Sequence, residues 1–235
     1  MARIINITRT SVPGSWPAAL SLLRATLAVG VYLSLTAASA FGDGLGYDDA
    51  PKQELCGLCH GLSGVSQMPK FPKLAGQKAA YIEKQLRDFR QSRRTNDGGQ
   101  MAAIVSEIDE GDIAEVAAYF SNQPSPEPAA PDGIAPDSLA RGKALFQDGS
   151  SGRGIPACAS CHSPHPSVGA NIPVYAPLLS SQHESYLLKQ LEDFRSQSRS
   201  NDVEGVMPVI AAALSDQEIE DIARYLSTTP RDEVQ

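Results

Sequence analysis

Cys56-Gly57-Leu58-Cys59-His60 and Cys158-Ala159-Ser160-Cys161-His162 are two copies of one pentapeptide, C-x-x-C-H, and together they use every cysteine of the 235-residue chain. Two thiols one helical turn apart can bond the two vinyl groups of one porphyrin, and the imidazole that follows then meets the iron from the same side. The motif predicts two covalently bound haem c groups. One is attached through Cys56 and Cys59 and the other through Cys158 and Cys161, with His60 and His162 as iron ligands. Zinc is the first competing reading of paired cysteines, but zinc ribbons hold their pairs much closer than the 102 residues between Cys56 and Cys158. A redox dithiol expects a βαβ setting, and a structural disulfide does not need a histidine beside it.

Working outward, the chain repeats itself at an offset of 105 residues. Tyr81-Ile82-Glu83-Lys84-Gln85-Leu86-Arg87-Asp88-Phe89-Arg90 falls on Tyr186-Leu187-Leu188-Lys189-Gln190-Leu191-Glu192-Asp193-Phe194-Arg195, and Asn96-Asp97 falls on Asn201-Asp202. Pro72, Leu74 and Gln77 also match Pro177, Leu179 and Gln182, so the repeat fills the stretch between each haem motif and a downstream methionine. Apolar spacing of three and four residues predicts helices around Ile82, Leu86 and Phe89, and around Leu187, Leu191 and Phe194. Final helices are expected through Ile113, Val116, Ala117 and Phe120, and through Ile219, Ile222, Ala223 and Leu226. Asp109 with Asp112 and the capping box of Ser215 with Glu218 mark their starts. A further helix over Leu139–Phe146, capped by Asp137 or Ser138, would use Gly142 to approach the last helix near Tyr225. No stretch alternates as a strand does, and the fold class is all-α.

Histidine-ligated iron needs a sixth ligand, and thioether sulfur suits an electron carrier because it favours the reduced ion. Met101 and Met207 are the candidates: each stands 12 residues before a matching isoleucine, Ile113 and Ile219. Met68 has no methionine counterpart in the second half and is expected to pack near the haem edge. The other nitrogen of each haem histidine should donate to a backbone carbonyl near Pro72 or Pro177. Tyr81, Tyr186, Arg90, Arg195, Asn96 and Asn201 are candidates to contact propionates or the methionine loop, or to pack as ordinary helix residues. His165 and His183, unmatched in the first half, are expected to be exposed.

Residues 1–40 read as a secretory signal: Arg3, Arg9 and Arg24 precede an apolar run that ends in Ala38-Ser39-Ala40. The run is too short for a membrane span, and export to the periplasm fits this kind of haem attachment. Removing these residues, which hold three arginines and no acid, takes the formal charge from −7 to −10. Such a chain is a poor partner for nucleic acid. The proline-rich stretch 124–136 cannot be helical throughout and separates a domain at 41–123 from one at 137–235. No later segment resembles a membrane span.

The ordered set of two C-x-x-C-H motifs, Phe71-Pro72-Lys73-Leu74-Ala75-Gly76-Gln77, Tyr81 with Gln85-Leu86 and Phe89, Asn96-Asp97, and a methionine before the last helix resembles the cytochrome c4 family. The resemblance covers about Leu55 to Thr229. It implies two tandem class I cytochrome c domains related by an approximate two-fold axis, with haem edges facing each other. It also implies an electron carrier, not an enzyme, whose partners are a redox protein donor and an acceptor such as a membrane oxidase, with no small-molecule substrate. Two departures stand out: a short opening helix in the first domain, and Tyr175-Ala176-Pro177-Leu178-Leu179-Ser180-Ser181 in place of the F-P-K-L-A-G stretch. An electron-accepting subunit of a flavin-dependent sulfide dehydrogenase is the alternative. A di-haem peroxidase would need an open iron position, against which the two matched methionines argue.

Overall fold

From the haem motif onward, helix follows helix in the same order in both halves. The computed structural model describes residues 51–164 and 174–233, so the expected signal segment 1–40 and His165 lie outside the described residues. In the first half run α1 (Lys52–His60), α2 (Ala79–Arg90), α3 (Gln100–Val105) and α4 (Glu110–Ser121). The second half holds α5 (Pro136–Asp148), α6 (Ala159–His162), α7 (Glu184–Arg195), α8 (Val206–Ala213) and α9 (Asp216–Ser227). Among the described residues there is no strand, only an isolated bridge between Ser150 and Ile155.

The spacing of apolar residues is realised as two cores. Ile82, Leu86 and Phe89 of α2 pack on Ile113, Val116, Ala117 and Phe120 of α4, with Cys56 and Val105 closing the cluster. Leu187 of α7 packs on Ile219, Ile222, Ala223 and Leu226 of α9 together with Leu145 and Phe146 of α5, while Leu191 lies at the edge, half-buried. Each buried Val, Leu, Ile or Phe side chain among these contributes about 1.5–3 kcal/mol. Both final helices start as expected. The Asp109 N–H donates to Asp112 Oδ2 at 2.8 Å, and Ser215 and Glu218 exchange bonds at 2.9 and 3.3 Å.

The start of α5 differs from the expectation. Pro136 occupies its first turn and Ala135 precedes it with no side-chain cap, because a proline there has no N–H to satisfy. Ser138 Oγ instead donates to Asp221 Oδ1 of α9, 2.5 Å away. Gly142 does allow the close approach: a Cβ on it would lie 2.1 Å from Asp221 O and 2.8 Å from Tyr225 Cβ. Among the described residues the first half has no such helix, and α1 itself carries the haem motif.

The halves meet across mirrored bonds. Gln77 Nε2 donates to Leu178 O and Leu178 N–H to Gln77 Oε1, both at 2.9 Å. Gln182 Nε2 donates to Lys73 O at 3.0 Å and Lys73 N–H to Gln182 Oε1 at 2.8 Å. Because Gln77 and Gln182, like Lys73 and Leu178, are 105 residues apart, the relation between the halves is an approximate two-fold. Arg231, 4% exposed, reaches both: its guanidinium donates to Ser180 O of the second half and Ala75 O of the first. Burial pulls that guanidinium down to about 10, far enough above neutrality that it stays charged.

The departure at Ser180-Ser181 is accommodated locally. Gly76 has φ +63°, and Ser181 at the equivalent position has φ +60°, a region that disfavours residues with a Cβ. Ser181 Oγ donates to Thr229 O at 3.1 Å, which offsets part of that cost.

Candidate haem sites and the interface between them

Cys56, Cys59 and His60 all lie on α1, and Cys158, Cys161 and His162 lie on or just before α6, so each helix turn presents two thiols and an imidazole together. The four cysteines are free thiols. Before a haem is attached, burial pushes the thiols of Cys56 and Cys158 up to about 11. Among the described residues no three His, Cys, Asp or Glu side chains converge on a metal-ion site, so the two cysteine pairs do not combine into one tetrahedral centre.

Both histidines are set identically. His60 Nδ1 donates to Pro72 O and His162 Nδ1 to Pro177 O, each at 2.8 Å. A carbonyl oxygen can only accept, so Nδ1 carries the proton and Nε2 keeps its lone pair for a metal. Burial lowers the proton affinity of both imidazoles, opposed by the proline carbonyls; Lys78 lowers His162 further. Free paired thiols beside a neutral imidazole with a free Nε2 form a donor set that fits a covalently attached haem.

The methionines stand at helix starts, not in a loop. Met101 follows Gly99 (φ +83°) into α3, and Met207 follows Gly205 (φ +68°) into α8. Their N–H groups donate to Asp97 Oδ2 at 2.5 Å and Asp202 Oδ2 at 2.8 Å. Met101 packs against the first core. Met68 is 43% exposed.

The polar candidates divide. Arg90 bonds Glu110 and the carbonyls of Val105 and Ile108, and Arg195 bonds Asp216, so both tie helices within their own half. Tyr81, Tyr186, Asn96 and Asn201 instead meet between the halves, around two arginines the sequence reading passed over, Arg94 and Arg199. Arg94 donates to Gln85 Oε1, Gln190 Oε1 and Tyr186 OH at 2.8, 2.9 and 3.1 Å. Arg199 donates to Gln190 Oε1, Gln85 Oε1 and Tyr81 OH at 2.8, 3.2 and 3.3 Å. Each guanidinium lies over a phenylalanine of its own half, Phe89 at 4.6 Å and Phe194 at 4.5 Å. The available signal was that Arg94 and Arg199 match at the repeat offset, but arginine is ordinarily a surface residue. His183 is a further correction. It is half-buried, and its Nε2 donates across the halves to Ser66 O at 3.0 Å.

Two tandem helical units, each presenting a C-x-x-C-H helix, a carbonyl-anchored histidine and a methionine at the start of a later helix, define a di-haem class I c-type cytochrome. A cytochrome c family profile matches residues 139–230. The cytochrome c4 of Thiocapsa roseopersicina is 40% identical over 76% of this chain and 88% of its own length. The crystal structure of reduced recombinant cytochrome c4 from Pseudomonas stutzeri superposes with a TM-score of 0.64 at 35% identity, covering 75% of this chain and 94% of that one. A thiosulfate dehydrogenase electron acceptor of Stutzerimonas stutzeri is 34% identical over 78% of this chain and 82% of its own length. The chain belongs to the cytochrome c4 family. It is a di-haem electron carrier, not an enzyme in its own right.

Proposed function

We propose that the chain passes single electrons between a respiratory donor and a terminal oxidase or reductase in the periplasm, after loss of residues 1–40. Its two domains, 41–123 and 137–235, are joined by the 124–136 linker. Cys56 and Cys59, and Cys158 and Cys161, attach one haem each. His60 with Met101, and His162 with Met207, are the axial pairs. The observation that carries this reading is the matched pair of histidine–carbonyl bonds, His60 to Pro72 and His162 to Pro177, which frees the same nitrogen in both halves.

The haem supplies the one-electron couple. The chain's own residues keep the ligand set rigid: Pro72 O and Pro177 O hold the Nδ1 protons in place, and the apolar cores around Cys56 and beside Cys158 exclude water. A rigid, dry site lowers the reorganisation that accompanies each transfer.

The test is a spectroelectrochemical titration of mature holoprotein that follows the far-red band of ferric iron bound by methionine sulfur. Two steps at positive potential are expected, with the band roughly halved in Met101→Ala and in Met207→Ala. A haem that titrates at low potential without the band overturns the ligand assignment in its half. A second reading, an electron acceptor docked on a dehydrogenase, is favoured by the relative of that name in Stutzerimonas stutzeri. Co-purification with a dehydrogenase that reduces the haems only when its own substrate is added would establish it.

A further inference from the structure

The segment before each methionine is held by the opposite half. Asn201, six residues before Met207, donates through Nδ2 to Asp88 Oδ2 at 2.6 Å and to Gln85 Oε1 at 3.0 Å, both on α2 of the first half. Lys84 Nζ, also on α2, donates to Asn201 O at 2.5 Å. The reverse grip holds Asn96, five residues before Met101. Its Nδ2 donates to Asp193 Oδ2 at 2.5 Å and Gln190 Oε1 at 3.0 Å of α7, and Lys189 Nζ donates to Asn96 O at 2.8 Å. The residue after each asparagine, Asp97 or Asp202, accepts the methionine's own N–H. A short run of bonds thus joins each methionine to a lysine–aspartate pair in the other half.

From this geometry we infer that each half positions the other's methionine: Lys84 and Asp88 set the Asn201–Met207 segment, and Lys189 and Asp193 set the Asn96–Met101 segment. The inference rests on the reading of Met101 and Met207 as ligands. These four are positioning residues, since none touches a methionine directly in the bonds described. The two grips are unequal. The Asp88 side chain is 1% exposed and is backed by Arg93 at 2.8 Å, whereas Asp193 is 16% exposed. The second half's methionine is therefore the more firmly held, because a less solvated carboxylate competes less with water for its donors.

The experiment silences one half at a time in holoprotein. Met101→His leaves the far-red band to the second half, and Met207→His leaves it to the first. In the Met101→His background, Asp88→Asn and the milder Lys84→Met should weaken the remaining band, lower the temperature at which it is lost by about 5 °C or more, and shift the potential of that haem. Asp193→Asn should leave this signal nearly unchanged. In the Met207→His background the pattern should reverse, with a smaller effect. Far-UV circular dichroism checks that each variant is folded. Variants that disturb only their own half's band, or neither band, overturn the cross-positioning. If Met101→His and Met207→His fail to remove one share of the band each, the ligand reading itself has failed.

Discussion

Arg94 and Arg199 donate to the same two oxygens, Oε1 of Gln85 and Oε1 of Gln190, one from each half of the chain. Both arginines are 6% exposed, and their guanidinium groups donate to neutral oxygens of Gln85, Gln190, Asn96, Asn201, Tyr81 and Tyr186. The pair costs mutual repulsion, which the interface offsets because each guanidinium bridges a glutamine of its own half to one of the other half.

Arg94→Met should therefore loosen the halves from one another. It removes the arginine donor of Tyr186 OH and of Asn96 Oδ1, while Gln190 Oε1 keeps Arg199 and Asn96 and Gln85 Oε1 keeps Arg199 and Asn201, so the cost is about 1–3 kcal/mol for each buried polar group left unpaired, partly offset by relief of the like charge. Urea unfolding followed by far-UV circular dichroism and by haem absorbance is expected to split from one transition into two. A single transition at the original midpoint would count against the interface as the coupling element.

Gly142→Ala should destabilise the second half although alanine is the better helix former by about 1 kcal/mol. The new methyl would sit 2.1 Å from Asp221 O, and backbone cannot yield as a side-chain tip can. Separation of α5 from α9 should cost about 1–3 kcal/mol or more. Thermal unfolding of the variant against wild type measures it, and an unchanged or raised midpoint would refute the close contact.

Ser92 and Gln197, at equivalent positions just past α2 and α7, have φ of +55° and +61°. Both are exposed. Glycine adopts this conformation without the Cβ penalty, so Ser92→Gly and Gln197→Gly should each stabilise the protein by up to about 1 kcal/mol. Denaturant midpoints that fall in both variants would contradict the left-handed turn.

Glu218 has its carboxyl pulled from an ordinary value of 4.5 to about 2, chiefly by the Arg153 guanidinium, opposed next by burial, with Ser215 adding to the lowering. A depressed folded value means that this carboxylate stabilises the fold fully above pH 4.5 and loses that contribution as pH falls toward about 2. Glu218→Gln should thus be less stable than wild type at pH 6, with the gap closing progressively below pH 4.5. Unfolding free energies measured at several pH values test this, and a gap that widens on acidification would reverse the assignment.

Much of the architecture was legible because it is written locally. Ile113, Val116, Ala117 and Phe120 recur at helical spacing and are all buried in the first core, as Ile219, Ile222, Ala223 and Leu226 are in the second. Gly142 and Tyr225 mark the α5–α9 contact in the sequence itself, since only a residue without a Cβ serves there. Short helices were missed. Met101 and Met207 begin α3 and α8 after glycines with positive φ, and a helix of six or eight residues offers too little periodicity to read.

By itself the sequence determined the haem chemistry and the repeat: two C-x-x-C-H turns, a matched methionine, and the helices between them, all set by spacing along one stretch of chain. Only the tertiary structure decided how the halves face each other. The bonds from Arg94 to Tyr186 and from Asn201 to Asp88 join residues 92 and 113 positions apart. Polar side chains of that kind carry no periodic signal, and the repeat shows that the halves are alike without showing which surfaces meet. The partners were chosen by burial: once the two-fold contact excludes water, each guanidinium and amide needs a protein acceptor, and part of the set within reach lies in the other half.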